Sequence, residues 1–299
     1  MIVTRLPDAE PRPRRVAVGT FDGMHLGHRA VIEGADTVLT FEPHPRTVID
    51  AAGSPRLLTT LERKAELLAG LGVEELVVIG FDAAFAAQTA QAFHDDVLVG
   101  ALGATHVSVG ENFRYGARAQ GDTELLEADG RFEVRVVPLL EIDGEIVSSS
   151  HIRGLVAGGA LEYAGELLGA PFSMAGEVLH GDARGRTLGY PTANLVPHPA
   201  YASPAHGVYA CRVQLPGVAA PVAAATNVGV RPQFVTGRGE LVEAFLIDWS
   251  GDLYGQEIRV DFLKRLRGEK RFGSVEALVE QMARDVEDAR GLASLPGRQ

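Results

Sequence analysis

The sequence predicts an α/β domain built on a parallel sheet, followed by a small antiparallel β-barrel domain that ends in a helix. In the first half, short apolar runs alternate with helical patterns, which is typical of parallel strands joined by helices. In the second half, short strand-like runs are separated by Gly- and Pro-rich turns, which is typical of a barrel. The composition changes at Gly169 to Pro171, so we expect domains at 1–169 and 170–299.

Composition excludes several classes of function. The chain has 299 residues and a net charge of −11, which argues against a general binder of nucleic acid or membrane surfaces. No apolar run reaches membrane-spanning length, and residues 1–15 lack the apolar core of a signal peptide. We expect this Pro- and Arg-rich opening to be a mobile arm. The single cysteine, Cys211, allows no internal disulfide and fits a reducing cytoplasm, and its strand-like neighbours favour a buried thiol over a nucleophile.

The first domain is organised around VAVGTFDGMHLGH, residues 16–28. An apolar strand stops at Gly19 and a helix begins near His25, so backbone N–H groups converge where the turn meets the helix. His25 and His28 are three residues apart and share one face of that helix. Such a turn suits a polyphosphate under nucleophilic attack. The alternative is a structural corner whose histidines lie on the surface.

Strands and helices then follow in alternation. Apolar runs at 37–41, 75–79 and 106–109 predict strands, and the segments 61–71 and 89–102 predict helices. A ligand bound to such a sheet lies at the carboxyl ends of the strands. We therefore expect the histidine turn and the loop after the fourth strand to lie at the same edge.

The loop after the fourth strand, GENFRYG at 110–116, is a candidate site for a flat heteroaromatic ligand. Asn112 offers an amide and Arg114 a guanidinium, while Phe113 and Tyr115 offer two rings. The alternative is an ordinary surface loop.

A second phosphate-binding pattern lies at 148–153, which reads SSSHIR. The hydroxyls of Ser149 and Ser150 stand at a helix start, and Arg153 follows one turn later. Hydroxyls, free N–H groups and a guanidinium together can hold phosphate oxygens. Simple capping of the helix is the alternative.

These motifs, with TFEPHP after the second strand, resemble in order the FMN adenylyltransferase module of the bacterial bifunctional riboflavin kinase/FAD synthetase family. The resemblance implies a nucleotidyltransferase domain with a Rossmann-like sheet that transfers an adenylyl group from ATP to FMN. It implies catalytic roles for His25, His28 and Arg153, and flavin contacts from Asn112 and Phe113. The ATP ligands that it implies are Gly19, Phe21, Asp22, His25, His28, Asn112, Ser149, Ser150 and Arg153.

The chain departs from this resemblance between the first helix and the second strand. Only RAVIEGAD, residues 29–36, intervenes where the family has a longer helix. Two helical turns cover about 11 Å, whereas a strand of five or six residues covers about 17–20 Å. The short crossover leaves open a first domain with impaired adenylyl transfer.

The second domain opens with HGDARGRTLGYPTANL, residues 180–195. Thr192 and Asn194 alternate in an extended segment, so both side chains point one way and can hold Mg²⁺ bound to a nucleotide. A Gly-rich hairpin without a ligand is the alternative. The remaining candidates for binding ATP here are two glycines that free the backbone and one cation: Gly181, Gly189 and Arg186.

Short strands follow at near-regular spacing, at 207–213, 221–228, 242–247 and 257–262, and the tail at 274–292 is helical. This pattern predicts an antiparallel barrel with a C-terminal helix.

Glu243 is a carboxylate among apolar strand neighbours in VEAFLI. Burying it is costly unless it is paired or chemically active. As a general base it would take the proton of a hydroxyl that attacks a γ-phosphate. The alternative is an exposed acid on the outward face of the strand.

The motifs GRTLGYPTANL, HGVYA, NVGVRPQF and EAFLIDWSGDLYG resemble the riboflavin kinase module of the same family, again in order. The resemblance implies that Glu243 is the catalytic base and that Thr192 and Asn194 bind ATP and Mg²⁺. It also implies a flap containing Arg267 and Phe272 over the flavin ring.

Together the resemblances imply a cytoplasmic bifunctional enzyme acting on riboflavin, FMN and ATP, with Mg²⁺ and without nucleic-acid or membrane partners. Two other hypotheses remain open. One is a monofunctional riboflavin kinase with an impaired first domain, and the other is a flavin-binding protein without turnover.

Overall fold

The computed structural model describes residues 1–180, 190–198, 200–230 and 240–294. The chain divides into two compact units, Met1–Ser149 and Ser150–Gln299. Within the described ranges, none of the helices combines the length and the apolar content needed to cross a bilayer.

The first unit is built on a six-stranded sheet in the order β1-β4-β3-β2-β5-β6, in which every neighbouring pair is parallel. The predicted parallel sheet is thereby confirmed. A two-stranded antiparallel ribbon, β7 with β8, follows it. The strands are β1 Ile2–Arg5, β2 Arg14–Val18, β3 Thr37–Glu42, β4 Glu75–Gly80, β5 Ala104–Gly110, β6 Glu133–Val137, β7 Glu141–Ile142 and β8 Glu145–Ile146.

Apolar side chains cover both faces of this sheet. Val16 and Val18 of β2 belong to one buried cluster, and Ala17 between them belongs to another. Because side chains alternate along a strand, the two clusters are the two faces of the sheet. The helices that accompany these strands are α1 Leu26–Ile32, α2 Pro45–Ile49, α3 Leu61–Gly70, α4 Ala83–Ala86, α5 Ala90–Ala92 with a π-helical continuation Phe93–Ala101, and α6 Thr123–Glu127.

The opening segment is part of this sheet, so the expectation of a mobile arm before Val16 is wrong. Strand β1 pairs with β4, and Arg14 at the start of β2 is only 3% exposed. The reason is Glu75, whose carboxylate accepts hydrogen bonds from Thr4 at 2.9 Å, Arg12 at 3.0 Å and Arg14 at 3.1 Å. A buried carboxylate of this kind neutralises arginines that otherwise look like a solvated arm.

The short crossover after His28 does span the distance to the next strand. Helix α1 is seven residues long, and β2 and β3 pair in parallel from Val16 opposite Thr37 to Val18 opposite Leu39. The hydroxyl of Ser108 on β5 donates to the carbonyl of Val31 at 2.6 Å and holds the helix against the sheet. The seven-residue helix therefore leaves the sheet register intact.

The second unit contains a closed antiparallel barrel in the order β10-β13-β12-β11-β14-β9, which confirms the predicted barrel. The C-terminal helix, α9 Val275–Ser294, packs against β11, β12 and β14 through Val286, Ala289 and Leu292. The barrel strands are β9 Phe172–Leu179, β10 Thr192–Leu195, β11 Gly207–Gln214, β12 Val222–Val230, β13 Glu240–Leu246 and β14 Glu257–Arg267.

Two helices precede the barrel, α7 Ser149–Gly158 and α8 Leu161–Leu168. The sequence placed the domain boundary at 169 and 170, whereas packing groups α8 and α7 from Ser150 onwards with the barrel. Helix α8 contacts β9 and β14, and Glu162 forms an ion pair with Lys264 of β14 at 3.1 Å. These contacts explain why the compact units divide earlier than the composition does.

Two candidate active sites

The first candidate site is the turn between β2 and α1. Phe21, Gly23 and Met24 all have positive φ angles, of 48°, 87° and 50°. Two of these are side-chain-bearing residues, and strained backbone of this kind collects at functional sites. The carboxylate of Asp22 accepts from the amides of Leu58 at 2.8 Å and Thr59 at 3.2 Å. Asp22 therefore shapes the turn by anchoring it to the segment before α3.

His25 and His28 are brought together as the sequence predicts. His25 caps α1, because its Nδ1 accepts from the backbone N–H of His28 at 3.2 Å, and the two rings stack with centroids 3.5 Å apart. This contact leaves Nε2 as the nitrogen of a neutral His25 that carries the proton. Nδ1 of His28 is buried and has no hydrogen-bond partner among the described residues.

The charge state of His28 follows from its surroundings. Burial, and then the positive potential of His25 and Lys64, hold its pKa well below the ordinary histidine value. His28 is therefore neutral near pH 7, and the turn presents N–H donors instead of a pair of cations.

Ser149, the last residue of the first unit, contacts this turn. The hydroxyl of Ser149 donates to the carbonyl of Asp22 at 2.8 Å. Ser150 and Arg153 belong to the second unit, where the Arg153 guanidinium donates to the Ser150 hydroxyl at 3.2 Å. Ser149 is thus tied to the turn by a direct contact, and the phosphate role of Ser149, Ser150 and Arg153 stays a prediction.

The loop at 110–116 was expected to offer two aromatic rings to a ligand, and the structure differs from this at one of them. Asn112 is exposed and Phe113 is half-buried, but Tyr115 is only 7% exposed and stacks under Phe113 with centroids 5.3 Å apart. Tyr115 is therefore a support for the loop, and the prediction that its ring faces a ligand is wrong.

A buried polar chain holds Tyr115. Its hydroxyl lies 2.6 Å from Nε2 of His94, and Nδ1 of His94 lies 2.7 Å from the Asp129 carboxylate. Burial, and then the negative charges of Asp122 and Asp129, raise the pKa of Tyr115 to about 12. Sequence reasoning missed this chain because its members are far apart in sequence.

Lys64 is a functional candidate that sequence reasoning missed. It is only 6% exposed, and its Nζ donates to the carbonyl of Thr20 at 2.7 Å and to Oγ1 of Thr40 at 3.2 Å. The signal was present in α3, where Lys64 lies three residues after Leu61 and four before the buried Leu68. A lysine at the apolar spacing of a helix is a buried cation that needs an acceptor.

The second candidate site lies on the barrel. In the pairing of β10 with β13, Asn194 lies opposite Glu243, and Asn227 of β12 lies opposite Glu243 on the other side. Directly opposite residues point to the same face, and Thr192 shares that face with Asn194 because it is two residues away. The predicted set of Thr192, Asn194 and Glu243 is therefore brought together. Phe245, also on this face, packs in the apolar cluster beneath α9.

The contacts within this set fit the roles suggested for them. Asn227 donates through Nδ2 to the Glu243 carboxylate at 3.4 Å. Asn194 is 7% exposed, and its Oδ1 is buried without a hydrogen-bond partner in the described ranges. Such an oxygen can bind a cation, or it can accept a hydrogen bond from a donor group of a ligand.

The donor set fits a divalent cation that comes with a nucleotide. Thr192 and Asn194 offer neutral oxygens, and the described residues contain no group of three or more His, Cys, Asp or Glu that could hold a metal ion. A hard cation with few protein ligands keeps waters and binds through phosphate oxygens. Three candidate ATP ligands, Gly181, Arg186 and Gly189, lie outside the described residues.

Arg267, the last residue of β14, contacts Phe272 in the segment that follows. The guanidinium carbon of Arg267 lies 5.7 Å from the Phe272 ring centroid, and its nitrogens bind the Asp285 carboxylate at 2.8 to 3.1 Å. Gln281 donates to the same carboxylate at 2.9 Å. Asp285 of α9 was not a sequence candidate, and it positions the guanidinium of the predicted flap.

Cys211 lies fully buried in β11, and burial raises the pKa of its thiol. The prediction of a buried strand thiol is confirmed.

Comparison with known proteins agrees with this geometry. The FAD synthetase family model matches residues 8–151, and the riboflavin kinase family model matches residues 168–293. The chain is 38% identical to the bifunctional riboflavin kinase/FMN adenylyltransferase of Listeria monocytogenes, over 92% of this chain and 91% of that protein. It is 40% identical to the protein of the same name from Escherichia coli, with the same two coverages. A solved structure titled macrolide-efflux protein from Streptococcus pneumoniae is similar with a TM-score of 0.86 and 32% identity, covering 97% of this chain and 99% of that one.

Proposed function

The chain belongs to the bifunctional riboflavin kinase/FMN adenylyltransferase family, and we propose that each of its two units carries one of the two activities in a site of its own. The enzyme phosphorylates riboflavin with ATP to give FMN. It then transfers an adenylyl group from a second ATP to FMN, giving FAD and pyrophosphate. The presence of both family matches, in order, over most of the chain is the observation that carries this conclusion.

The barrel site phosphorylates riboflavin. Glu243 accepts the proton of the terminal ribityl hydroxyl as its oxygen attacks the γ-phosphorus, and the bond to the bridging oxygen of ADP breaks. Asn227, at 3.4 Å, orients the carboxylate through its amide. Thr192 and Oδ1 of Asn194, which lacks a partner within the part of the chain that the structure describes, hold the metal and its nucleotide. Holding the reactants in line supplies most of the rate enhancement.

The family uses a divalent cation, and we propose that it is Mg²⁺. When bound, it neutralises charge on the transferred phosphoryl group and its neighbours. Neutral oxygens such as those of Thr192 and Asn194, together with water and phosphate, are ligands that Mg²⁺ accepts.

The turn of the first unit performs adenylyl transfer. An oxygen of the FMN phosphate attacks the α-phosphorus of ATP, and the bond to the pyrophosphate oxygen breaks. A phosphate monoester is largely ionised at neutral pH, so the attacking oxygen needs no base. His25 and His28 stabilise developing charge by donating N–H groups, as the neutral state of His28 supports.

Other contacts are proposed on the resemblance. Gly19, Phe21 and Asp22 shape the turn, and Asn112 with Phe113 binds the flavin or the nucleotide. Ser149, Ser150 and Arg153 hold triphosphate oxygens, and the nearness of Ser149 to the turn supports its part in this. Arg267 and Phe272 cover the flavin in the kinase site.

In this scheme the modules are 1–169 and 170–299, and the riboflavin kinase match beginning at residue 168 supports that division. The substrates are small molecules, and we propose that the enzyme works in the cytoplasm.

The matching of both family models weighs against a kinase without adenylyl transfer and against a flavin-binding protein without turnover. Chromatography of the products made by the purified protein from riboflavin, ATP and Mg²⁺ tests the proposal. We expect FMN to form first and FAD to follow. Accumulation of FMN with no FAD would remove the adenylyltransferase assignment, and unchanged riboflavin would remove both.

A further inference from the structure

Lys64 lies directly beneath the nucleotide turn of the first unit, although it is not in the turn. The carbonyl of Thr20 accepts two hydrogen bonds from below. Lys64 Nζ donates one at 2.7 Å, and Thr40 Oγ1 donates the other at 3.2 Å. Lys64 also donates to Thr40 Oγ1 at 3.2 Å, so the three groups form a closed set. Both side chains are buried, with Lys64 6% and Thr40 0% exposed.

This set fixes the orientation of one peptide group. In a planar trans peptide the carbonyl of one residue and the N–H of the next point in opposite directions. Because the Thr20 carbonyl points down to Lys64, the N–H of Phe21 points away from it, toward the opposite side of the turn. Phe21 has a φ of 48°, so this peptide leads into strained backbone that needs such an anchor.

Lys64 also supplies positive charge beside the turn. His28 is neutral near pH 7 for the reasons given above, and Asp22 within the turn is acidic. Burial lowers the pKa of Lys64 below its ordinary value, and the carboxylates of Asp22 and Glu42 partly offset that shift by favouring the ammonium form. In a chain with a net charge of −11, a buried ammonium is a local source of positive potential for a polyphosphate.

We propose that Lys64 is a positioning residue of adenylyl transfer, which orients the Phe21 N–H toward the bound triphosphate and gives the turn its positive potential. Lys64 reaches the substrate only through the turn, and the inference rests on the adenylyltransferase function proposed for this unit. Charge builds on the leaving pyrophosphate in the transition state. The proposal therefore predicts that changing Lys64 removes more stabilisation from the transition state than from the bound ground state.

The test is steady-state kinetics of Lys64→Met, with FMN and ATP as substrates and FAD as the product. Methionine keeps the length and helix propensity of lysine and removes the charge and the donors. We expect kcat to fall about a hundredfold, since a displaced binding group costs about that factor. KM for ATP should change less than kcat, and Lys64→Arg should restore part of the lost rate because it returns a cation and donors.

Two controls distinguish a specific effect of Lys64 on FAD formation from a general loss of folded protein. Arg63→Met on the same helix removes a cation whose partner is the exposed Glu66, at 2.7 Å, and it should leave FAD formation unchanged. The riboflavin kinase activity of the same protein should be unchanged in every variant. If Lys64→Met does not fold, Thr40→Val tests whether the orientation of the Thr20 carbonyl matters. This variant keeps the charge of Lys64 and removes one donor to Thr20. We expect it to lower kcat for FAD formation by about fivefold or more.

The outcomes separate the inference from the function on which it rests. A wild-type protein that makes no FAD would overturn the adenylyltransferase assignment itself. A wild-type protein that makes FAD, beside a folded Lys64→Met variant with kcat within twofold, would overturn the role of Lys64 alone. The same conclusion follows if Arg63→Met loses as much activity as Lys64→Met.

Discussion

Asn194 lies directly opposite Glu243 in the antiparallel pairing of β10 with β13. An amide oxygen that is buried without a partner among the described residues and a carboxylate held by Asn227 are thereby placed side by side on the barrel face that leads to α9. One residue suits a metal-bound nucleotide and the other suits the hydroxyl that attacks it. This register is the structural basis for assigning phosphoryl transfer to the second unit.

The base assignment predicts a selective loss. Glu243→Gln keeps the shape of the side chain and removes its proton-accepting charge, so FMN formation should fall by roughly a hundredfold to ten-thousandfold. FAD formation from supplied FMN should be unchanged. Glu257→Gln, an exposed carboxylate on β14, is the matched control and should retain both activities. Kinase turnover within twofold of wild type in Glu243→Gln would refute the assignment.

The metal assignment predicts a change in the requirement for Mg²⁺. Asn194→Leu removes Oδ1, which no described residue binds, and keeps the volume of the side chain, so the Mg²⁺ concentration for half-maximal kinase rate should rise about tenfold or more. Initial rates measured across a Mg²⁺ titration give this value. The Mg²⁺ dependence of FAD formation from FMN serves as the control within the same protein. An unaltered kinase titration curve would show that Asn194 does not bind the metal-nucleotide.

The sequence indicated this barrel site because strand alternation and the order of motifs are local properties. Thr192 and Asn194 share a face for that reason, and Glu243 stands out as an acid in an apolar strand. The sequence did not predict the partners of residues that are far apart in the chain. Glu75 holds the arginines that looked like a mobile arm, and Asp285 holds Arg267.

The first unit shows the same limit. The parallel sheet and the histidine turn follow from periodicity and glycine placement. Tyr115 was expected to face a ligand, but His94 and Asp129 hold it inside, and these residues come from separate segments. Lys64 reads as a solvated helix residue until the carbonyl of Thr20 is placed within 2.7 Å of it. Satisfaction of buried polar groups is a tertiary property, which a linear pattern does not carry.

The lowered pKa of His28 predicts acid sensitivity. The unfolded chain binds a proton at this histidine below about pH 6.5, whereas the folded protein does not until a lower pH is reached, so stability falls as pH drops through that window. His28→Gln should therefore lose less stability between pH 7 and pH 5 than the wild type. Urea unfolding followed by circular dichroism measures this, with the exposed His206→Gln as control. Equal acid losses in wild type and His28→Gln would contradict the buried neutral state.

The ion pair between Arg267 and Asp285 predicts effects on both the stability of the second unit and the binding of riboflavin. Asp285→Asn weakens a charge-assisted pair whose side chains are 21% and 6% exposed, so the free energy of unfolding of the second unit should fall by about 1–3 kcal/mol. KM for riboflavin should rise, because Arg267 loses the partner that orients it beside Phe272. Urea unfolding followed by the fluorescence of Trp249, the single tryptophan, gives the first value. Asp288→Asn, exposed on the same helix, is the control, and equal behaviour of the two variants would disprove this role of the ion pair.

Complementation between two variants tests most directly the claim that two independent sites lie on one chain. Glu243→Gln is expected to lack the kinase step and His28→Gln to lack adenylyl transfer, so neither alone should convert riboflavin to FAD. Mixed in one reaction with ATP and Mg²⁺, they should form FAD, because FMN released by one protein is the substrate of the other. A mixture that forms no FAD, where wild type does and where each variant retains its other activity, would contradict the account.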